Sequence, residues 1–323
     1  MNAPLPGFRL SRPQSVEEAV AERLAAPSAR YLAGGTDLIV NMRRGLVETD
    51  LLIDLTGIAE LATLSAGAPG LTIGAGVTLA DLTDNPAVLN DYPAIFQAAS
   101  AVAGPGHRAA ATVGGNLCLD TRCLYYNHSD WWRRANDYCL KYKGEICHVA
   151  PTGNKCRAAF CGDLAPALLV HDAEIEIAGP KGRRRLPLAE LYRDDGAAHL
   201  ALAPEELLVA VHLPAGARSS TYEKVRLRGA IDFPLAGVAV AIVDGERPAR
   251  LKVAVTGTDC RPFLIDGLDG LNAGKLGEAE LVQIDKAVQK QVSPLRTTMA
   301  AGHYRRLAAA ALARRLAARL AAG

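Results

Sequence analysis

Ala33-Gly34-Gly35-Thr36-Asp37-Leu38 and Thr112-Val113-Gly114-Gly115-Asn116-Leu117 are the two stretches on which the reading of this chain turns. Each sets consecutive glycines where a strand or helix pattern ends. A diphosphate needs backbone N–H groups at close range, and glycine permits that approach because no Cβ intervenes. Thr36, Thr112 and Asn116 add hydroxyl and amide donors. Either segment alone equally suits an ordinary tight turn. Neither is a P-loop, since no Gly-Lys-Ser/Thr follows. Gly74-Ala75-Gly76 opens a Rossmann spacing, but Leu79 stands where the third glycine belongs, so a nicotinamide-type site is not supported.

Outward from these segments the chain alternates helix and strand signals. Ser15-Val16-Glu17-Glu18 is a capping box that opens a helix closing near Pro27. Tyr31 to Ala33, Leu51 to Leu55 and Leu71 to Ala75 read as strands, and Leu38 to Arg44 and Ala94 to Ala103 as helices, with Pro93 tolerated at the start of the latter. Farther on, the apolar runs Ala167 to Val170, Ile175 to Ile177 and Leu207 to Leu213 read as strands returning to the same sheet. Ala215 to Ser220 reads as a linker, followed by strands at Tyr222 to Leu227, Leu235 to Val243 and Leu251 to Val255. His303 to Ala322 is a helix on propensity, its arginines read as a solvated face. The fold class expected is α+β.

Composition narrows the function. The chain has 323 residues, half of them hydrophobic, and a net charge of +2, which argues against nucleic acid as the main partner. No apolar run reaches the length of a membrane span, and MNAPLPGFRLSRPQ has no apolar signal-peptide core, so a soluble cytoplasmic protein is expected. Seven cysteines occur, six of them between positions 118 and 161. An odd total makes a disulfide framework improbable, and thiols crowded into one segment point to metal.

The paired motifs AGGTDL and ATVGGNL, with IGAGVTLADL (73–82), GDLAPALLVHDAEIEI (162–177) and YEKVRLR (222–228), resemble the FAD subunits of the xanthine oxidase and carbon monoxide dehydrogenase family over nearly the whole chain. The resemblance implies a two-subdomain FAD-binding domain of the PCMH type, with subdomains at 1–55 and 56–216, and a C-terminal α+β domain of the carbon monoxide dehydrogenase flavoprotein type at 217–323. It implies that Leu32, Ala33, Gly34, Gly35, Thr36 and Asp37, and Thr112, Gly114, Gly115 and Asn116, hold FAD through its diphosphate. Asp163 would reach the flavin's sugar-alcohol chain, and Lys224 lies where the last domain approaches the cofactor. The chain departs from the family in carrying Ala109 and Ala110 after Arg108, where an Asn and a second Arg are common.

In most of that family GGNL is followed within about ten residues by GDL, whereas here 46 residues separate Asn116 from Asp163. This insert, 118–161, carries six cysteines and seven of the sixteen aromatics, so it has the makings of a small core that a metal centre would cross-link. Its interior spacing is Cys123-x15-Cys139-x7-Cys147-x8-Cys156, without a CxxC. Wide, uneven spacing suits a loop wrapped around a bulky cluster, and four thiolates are what a [4Fe–4S] cluster requires. A zinc-stapled insert, with His128 or His148 in support, stays open on spacing alone. The insert also carries seven Lys/Arg against four Asp/Glu, which would suit an acidic docking partner or simply a solvated surface.

A cysteine insert at this point resembles the 4-hydroxybenzoyl-CoA reductase branch of the family. That implies an electron-transfer subunit taking electrons from a ferredoxin through [4Fe–4S] and FAD toward a [2Fe–2S] subunit and a molybdopterin-bearing large subunit, in a dimer of heterotrimers, for reductive dehydroxylation of 4-hydroxybenzoyl-CoA in anaerobic aromatic degradation. No residue of this chain need act as an acid–base catalyst. Two other readings remain. One is an ordinary molybdenum hydroxylase flavin subunit delivering electrons to NAD or a quinone; the other is a non-redox assembly protein that has lost its flavin.

Overall fold

The computed structural model describes residues 5–67, 70–216, 218–243 and 249–322; residues 1–4 of the N-terminal segment and position 217 of the linker lie outside it. Three sheets are built in chain order. The first is parallel, order β1-β3-β2, from β1 (Arg9–Ser11), β2 (Arg30–Leu32) and β3 (Leu51–Asp54). Helix Val16–Ala25 crosses between its first two strands. Ser15 Oγ accepts the Glu18 N–H at 3.1 Å, while the Glu18 carboxylate turns back to the Gln14 N–H at 2.7 Å, one residue earlier than a reciprocal box would place it.

The second sheet is antiparallel, order β4-β5-β8-β6-β7, from β4 (Leu64–Gly67), β5 (Gly70–Gly74), β6 (Glu174–Gly179), β7 (Gly182–Pro187) and β8 (Leu207–Pro214). Strands on either side of the insert thus share one sheet, with β8 pairing both β5 and β6. Its inner face joins helices Leu79–Asp84, Pro93–Ala101 and Leu164–Leu169 in one apolar core. Pro93 opens its helix as expected. Ala167 to Val170 is not a strand: it ends helix Leu164–Leu169, buried on every side. A short run that is apolar all round has no periodicity to separate strand from buried helix.

The third sheet, order β12-β11-β10-β9, comprises β9 (Ser219–Val225), β10 (Ala236–Val243), β11 (Arg250–Thr256) and β12 (Phe263–Leu264). β9 begins inside the stretch read as linker and stops before Leu227. Every residue of β10 is buried, because helices cover one face and the core of the second sheet the other. The covering helices are Glu278–Gln291 and Gly302–Ala321.

Arg314, Arg315 and Arg319 of the tail helix stand on an exposed face as read, whereas Arg305 does not. Arg305 is fully buried and donates to the carbonyls of Leu235, Leu295 and Gly257, which lashes the helix to the end of β11 and the start of β10. Arg315 and Arg319 both pair with Glu223 on β9, and Arg314 with Glu278. Among the described residues no helix is long and apolar enough to cross a membrane.

Candidate functional site

The first glycine segment leaves β2 and turns into helix Leu38–Arg43. Gly35 has φ +68°, a left-handed conformation that glycine adopts without strain. A Cβ on Gly34 would lie 1.7 Å from the Ala110 carbonyl oxygen, so the two glycine segments are in backbone contact at a position where only glycine fits. Among the described residues, the N–H groups of Gly34, Gly35, Thr36 and Asp37 are bonded to no other part of the chain. These are orphan donors of the kind a diphosphate satisfies.

The second segment behaves differently. Thr112 caps helix Val113–Leu117, and its Oγ1 accepts the Gly115 N–H at 3.1 Å. The N–H groups of Val113, Gly114 and Asn116 go to Val77, Ala75 and Thr112 carbonyls. The glycines here serve packing: a Cβ on Gly114 would come within 2.8 Å of Ala75 Cβ. What this segment can offer a ligand is side-chain donors, the Thr112 hydroxyl and the Asn116 amide nitrogen. The Asn116 Oδ1 is already committed, accepting the Leu164 N–H at 3.1 Å across the neck of the insert. That bond brings the segment beside Asp163.

Asp163 is almost fully buried. Its Oδ1 accepts the Tyr222 hydroxyl at 2.7 Å and lies 2.9 Å from Lys224 Nζ, itself 3% exposed. Burial raises the carboxyl pKa, against the pull of Lys224 and the Tyr222 hydroxyl. The pair joins the flavin-side core to β9, so Asp163 and Lys224 meet although 60 residues part them in sequence (224 − 163 − 1). Tyr222 entered the sequence reading as a strand residue and as the first residue of YEKVRLR, without a role at the site.

The insert begins with a two-residue antiparallel bridge in which Arg122 and Ala159 exchange both backbone bonds. Beyond that neck, Cys123, Cys139, Cys147 and Cys156 line a single narrow pocket with Tyr125, Tyr126, Lys141 and His148. All seven cysteines are free thiols, and these four are buried. Burial pushes the Cys123 thiol up to about 11 and the Cys156 thiol up to about 12. Cys118, Cys161 and Cys260 do not line the pocket. Among the described residues no three His, Cys, Asp or Glu side chains are grouped to hold a single metal ion. The donor set is nonetheless four soft thiols facing one space, which fits a centre larger than one ion.

Around the pocket sits a core of six buried residues: Leu46, Cys123, Tyr126, Cys139, Cys156 and Ala158. His148 stacks on Tyr125 at 4.8 Å, and His128 on Trp132 at 4.1 Å. His148 therefore reaches the pocket and His128 does not.

The basic excess of the insert does not face solvent. Arg122, Arg133 and Lys141 have side chains only 13%, 1% and 6% exposed. What remains outside, Arg134, Lys143, Lys155 and Arg157, is nearly balanced by Asp120, Asp130, Asp137 and Glu145, so the count gives no acidic-partner surface. Arg122 is the residue sequence reasoning missed. It forms one side of the neck bridge, precedes Cys123, and pairs with Asp37 of the first glycine segment while lying 4.6 Å from the centre of the Phe233 ring. One side chain thus ties the neck of the insert to the first glycine segment. Its adjacency to Cys123 was the available signal.

Residues 6–216 match the family model described as the FAD binding domain in molybdopterin dehydrogenase. The chain is 34% identical over 272 residues to the FAD-binding subunit PaoB of aldehyde oxidoreductase from Escherichia coli (strain K12), covering 81% of this chain and 85% of that one. It is 28% identical over 283 residues to the carbon monoxide dehydrogenase medium chain of Hydrogenophaga pseudoflava, with 86% and 84% covered. A chain of Cu,Mo-CO dehydrogenase in its cyanide-inactivated form shares the fold with a TM-score of 0.79 over 99% of both chains at 23% identity. The chain belongs to this family: it is a FAD-binding oxidoreductase subunit of the molybdenum hydroxylase type.

Proposed function

We propose that this flavin subunit carries a [4Fe–4S] cluster on Cys123, Cys139, Cys147 and Cys156 and serves a 4-hydroxybenzoyl-CoA reductase-type enzyme. When bound, the cluster and FAD would supply a one-electron port and a one-to-two-electron bridge, taking electrons from a ferredoxin toward a [2Fe–2S] subunit and a molybdopterin-bearing subunit that reductively dehydroxylates 4-hydroxybenzoyl-CoA. The observation that carries the reading is the convergence of the four interior thiols on one pocket at the neck of which Arg122 reaches Asp37.

The residues divide the work. Leu32, Ala33, Gly34, Gly35, Thr36 and Asp37 form the segment whose unbonded N–H groups receive the diphosphate. Thr112 and Asn116 add side-chain donors, while Gly114 and Gly115 let the second segment pack close. Asp163, oriented by Lys224 and Tyr222, addresses the flavin's sugar-alcohol chain. Tyr125 and His148, stacked over the thiol pocket, keep bulk water from it. No side chain here is asked to donate or remove a proton in the substrate reaction. The assembly proposed is a cytoplasmic dimer of heterotrimers.

Purification without oxygen followed by iron, sulfide, zinc and flavin analysis tests this. About four iron and four sulfide per FAD are expected for a [4Fe–4S] centre. Stoichiometric zinc without iron would instead make the chain a flavin subunit of an ordinary molybdenum hydroxylase, delivering electrons to NAD or a quinone, with a zinc-stapled insert. Protein without flavin would overturn both.

A further inference from the structure

The insert buries an ammonium group against its thiols, and that placement is costly without a reason. Lys141 lines the pocket with the four cysteines, its side chain 6% exposed. Its Nζ donates to Asp120 Oδ1 at 2.5 Å, to the Thr121 carbonyl at 3.2 Å and to the Thr121 hydroxyl, and lies 4.3 Å from the centre of the Tyr126 ring. Its position is therefore fixed from several sides. Taking an ammonium out of water costs several kcal/mol, and a single carboxylate partner commonly fails to repay it. Asp120 is the more exposed member of the pair: its side chain is 27% exposed and does not line the pocket. The ammonium lines the pocket and the carboxylate does not, so the charge nearer the thiols is the positive one.

We propose that Lys141 is the fixed counter-charge that sets the reduction potential of the centre held by Cys123, Cys139, Cys147 and Cys156. The inference rests on the cluster reading above. Four thiolates leave an iron–sulfur centre with excess negative charge, and each electron added deepens it. A cation at the pocket wall favours the reduced form, whereas the negative charge of four thiolates and their burial would otherwise oppose it. Lys141 is a positioning residue of charge: it neither ligates nor transfers a proton. Its strength comes from being held where Asp120 and Thr121 put it.

Midpoint titration of the holoenzyme, followed by electron paramagnetic resonance with dithionite and mediators, tests the assignment. In Lys141→Met the ratio of reduced to oxidised cluster at a fixed potential should fall about tenfold, equivalent to about 59 mV for one electron. Lys141→Arg should keep it within about threefold, because the charge remains. Asp120→Asn should move it the opposite way, since the ammonium loses its carboxylate. A wild-type cluster whose midpoint is indifferent to both Lys141→Met and Asp120→Asn overturns the inference, as does a shift of the same sign in both. Should Lys141→Met fail to load iron, Asp120→Asn decides alone: an upward shift supports the assignment and none overturns it. Wild-type protein without iron and sulfide removes the reading beneath it instead, and that result is recognised before any variant is compared.

Discussion

The flavin body and the cysteine insert each bury one lysine–aspartate pair, and the two settings have little else in common. In the body, Lys224 and Asp163 sit between large apolar cores, roofed by the fully buried strand β10 and the lashed tail helix. In the insert, Lys141 and Asp120 border a core of six residues, three of which are cysteines. The body has enough apolar burial to carry an internal ion pair and remain folded without its ligand. So small a core has less apolar burial to draw on, and the proposed centre on its four thiols would supply the missing cross-link.

The largest effect expected follows from that contrast. Cys139→Ser should reduce iron content to below about a tenth of wild type and open residues 118–161 to proteolysis, while FAD stays bound, because metal binding and folding are coupled in such small elements. If flavin leaves together with iron, body and insert are one cooperative unit and the comparison fails. Next in size is Lys224→Met. Leaving Asp163 buried without its cation should cost about 3–5 kcal/mol, read by denaturant unfolding with flavin fluorescence as the probe. A loss under about 1 kcal/mol would mean that the body pair is as well hydrated as a surface one.

Acid should act on both regions. Burial, then the nearby Arg218 cation, depress His171 of the body to about 3, and burial, then Lys141, depress His199 beneath the insert to about 4. Both are neutral in the fold, so the unfolded chain binds the extra protons once pH drops below the ordinary histidine value. Their contribution is complete above pH ~6.5 and erodes as pH falls, by about 1.4 kcal/mol per unit for each histidine. Melting curves between pH 7 and 5 should show it. His171→Phe should halve the slope, since the ring stacked edge-on to Tyr92 loses only its bond to Ser220. The smallest effect is assigned to Arg134→Ala, whose solvent-screened i,i+4 pair with Asp130 should leave the denaturation midpoint unchanged.

How much of this could be read from the sequence differs between the two regions for physical reasons. Strand and helix signals with a clear period, such as Leu251 to Val255 or the tail helix, emerged close to their ends. The fully apolar Ala167 to Val170 did not, because burial on all sides erases the period. Glycine pairs marked both loops, yet the sequence could not tell that one offers open N–H groups and the other has spent them on Val77, Ala75 and its own cap. The four interior cysteines could be grouped by their distance from the flanking pair. Charge was the least legible property: Arg122, Arg133, Lys141 and Arg305 all count as surface cations in a composition, yet Arg133 and Arg305 are buried and Arg122 and Lys141 are mostly covered, each against a partner distant in sequence.

The central claim is that the insert's thiols hold a redox-active iron–sulfur centre beside the flavin segment. Low-temperature electron paramagnetic resonance of the dithionite-reduced protein, prepared without oxygen, tests it most directly. The account expects one fast-relaxing iron–sulfur signal per chain that is missing in Cys139→Ser. A reduced wild-type protein with no such signal, or one that persists unchanged in Cys139→Ser, would contradict it.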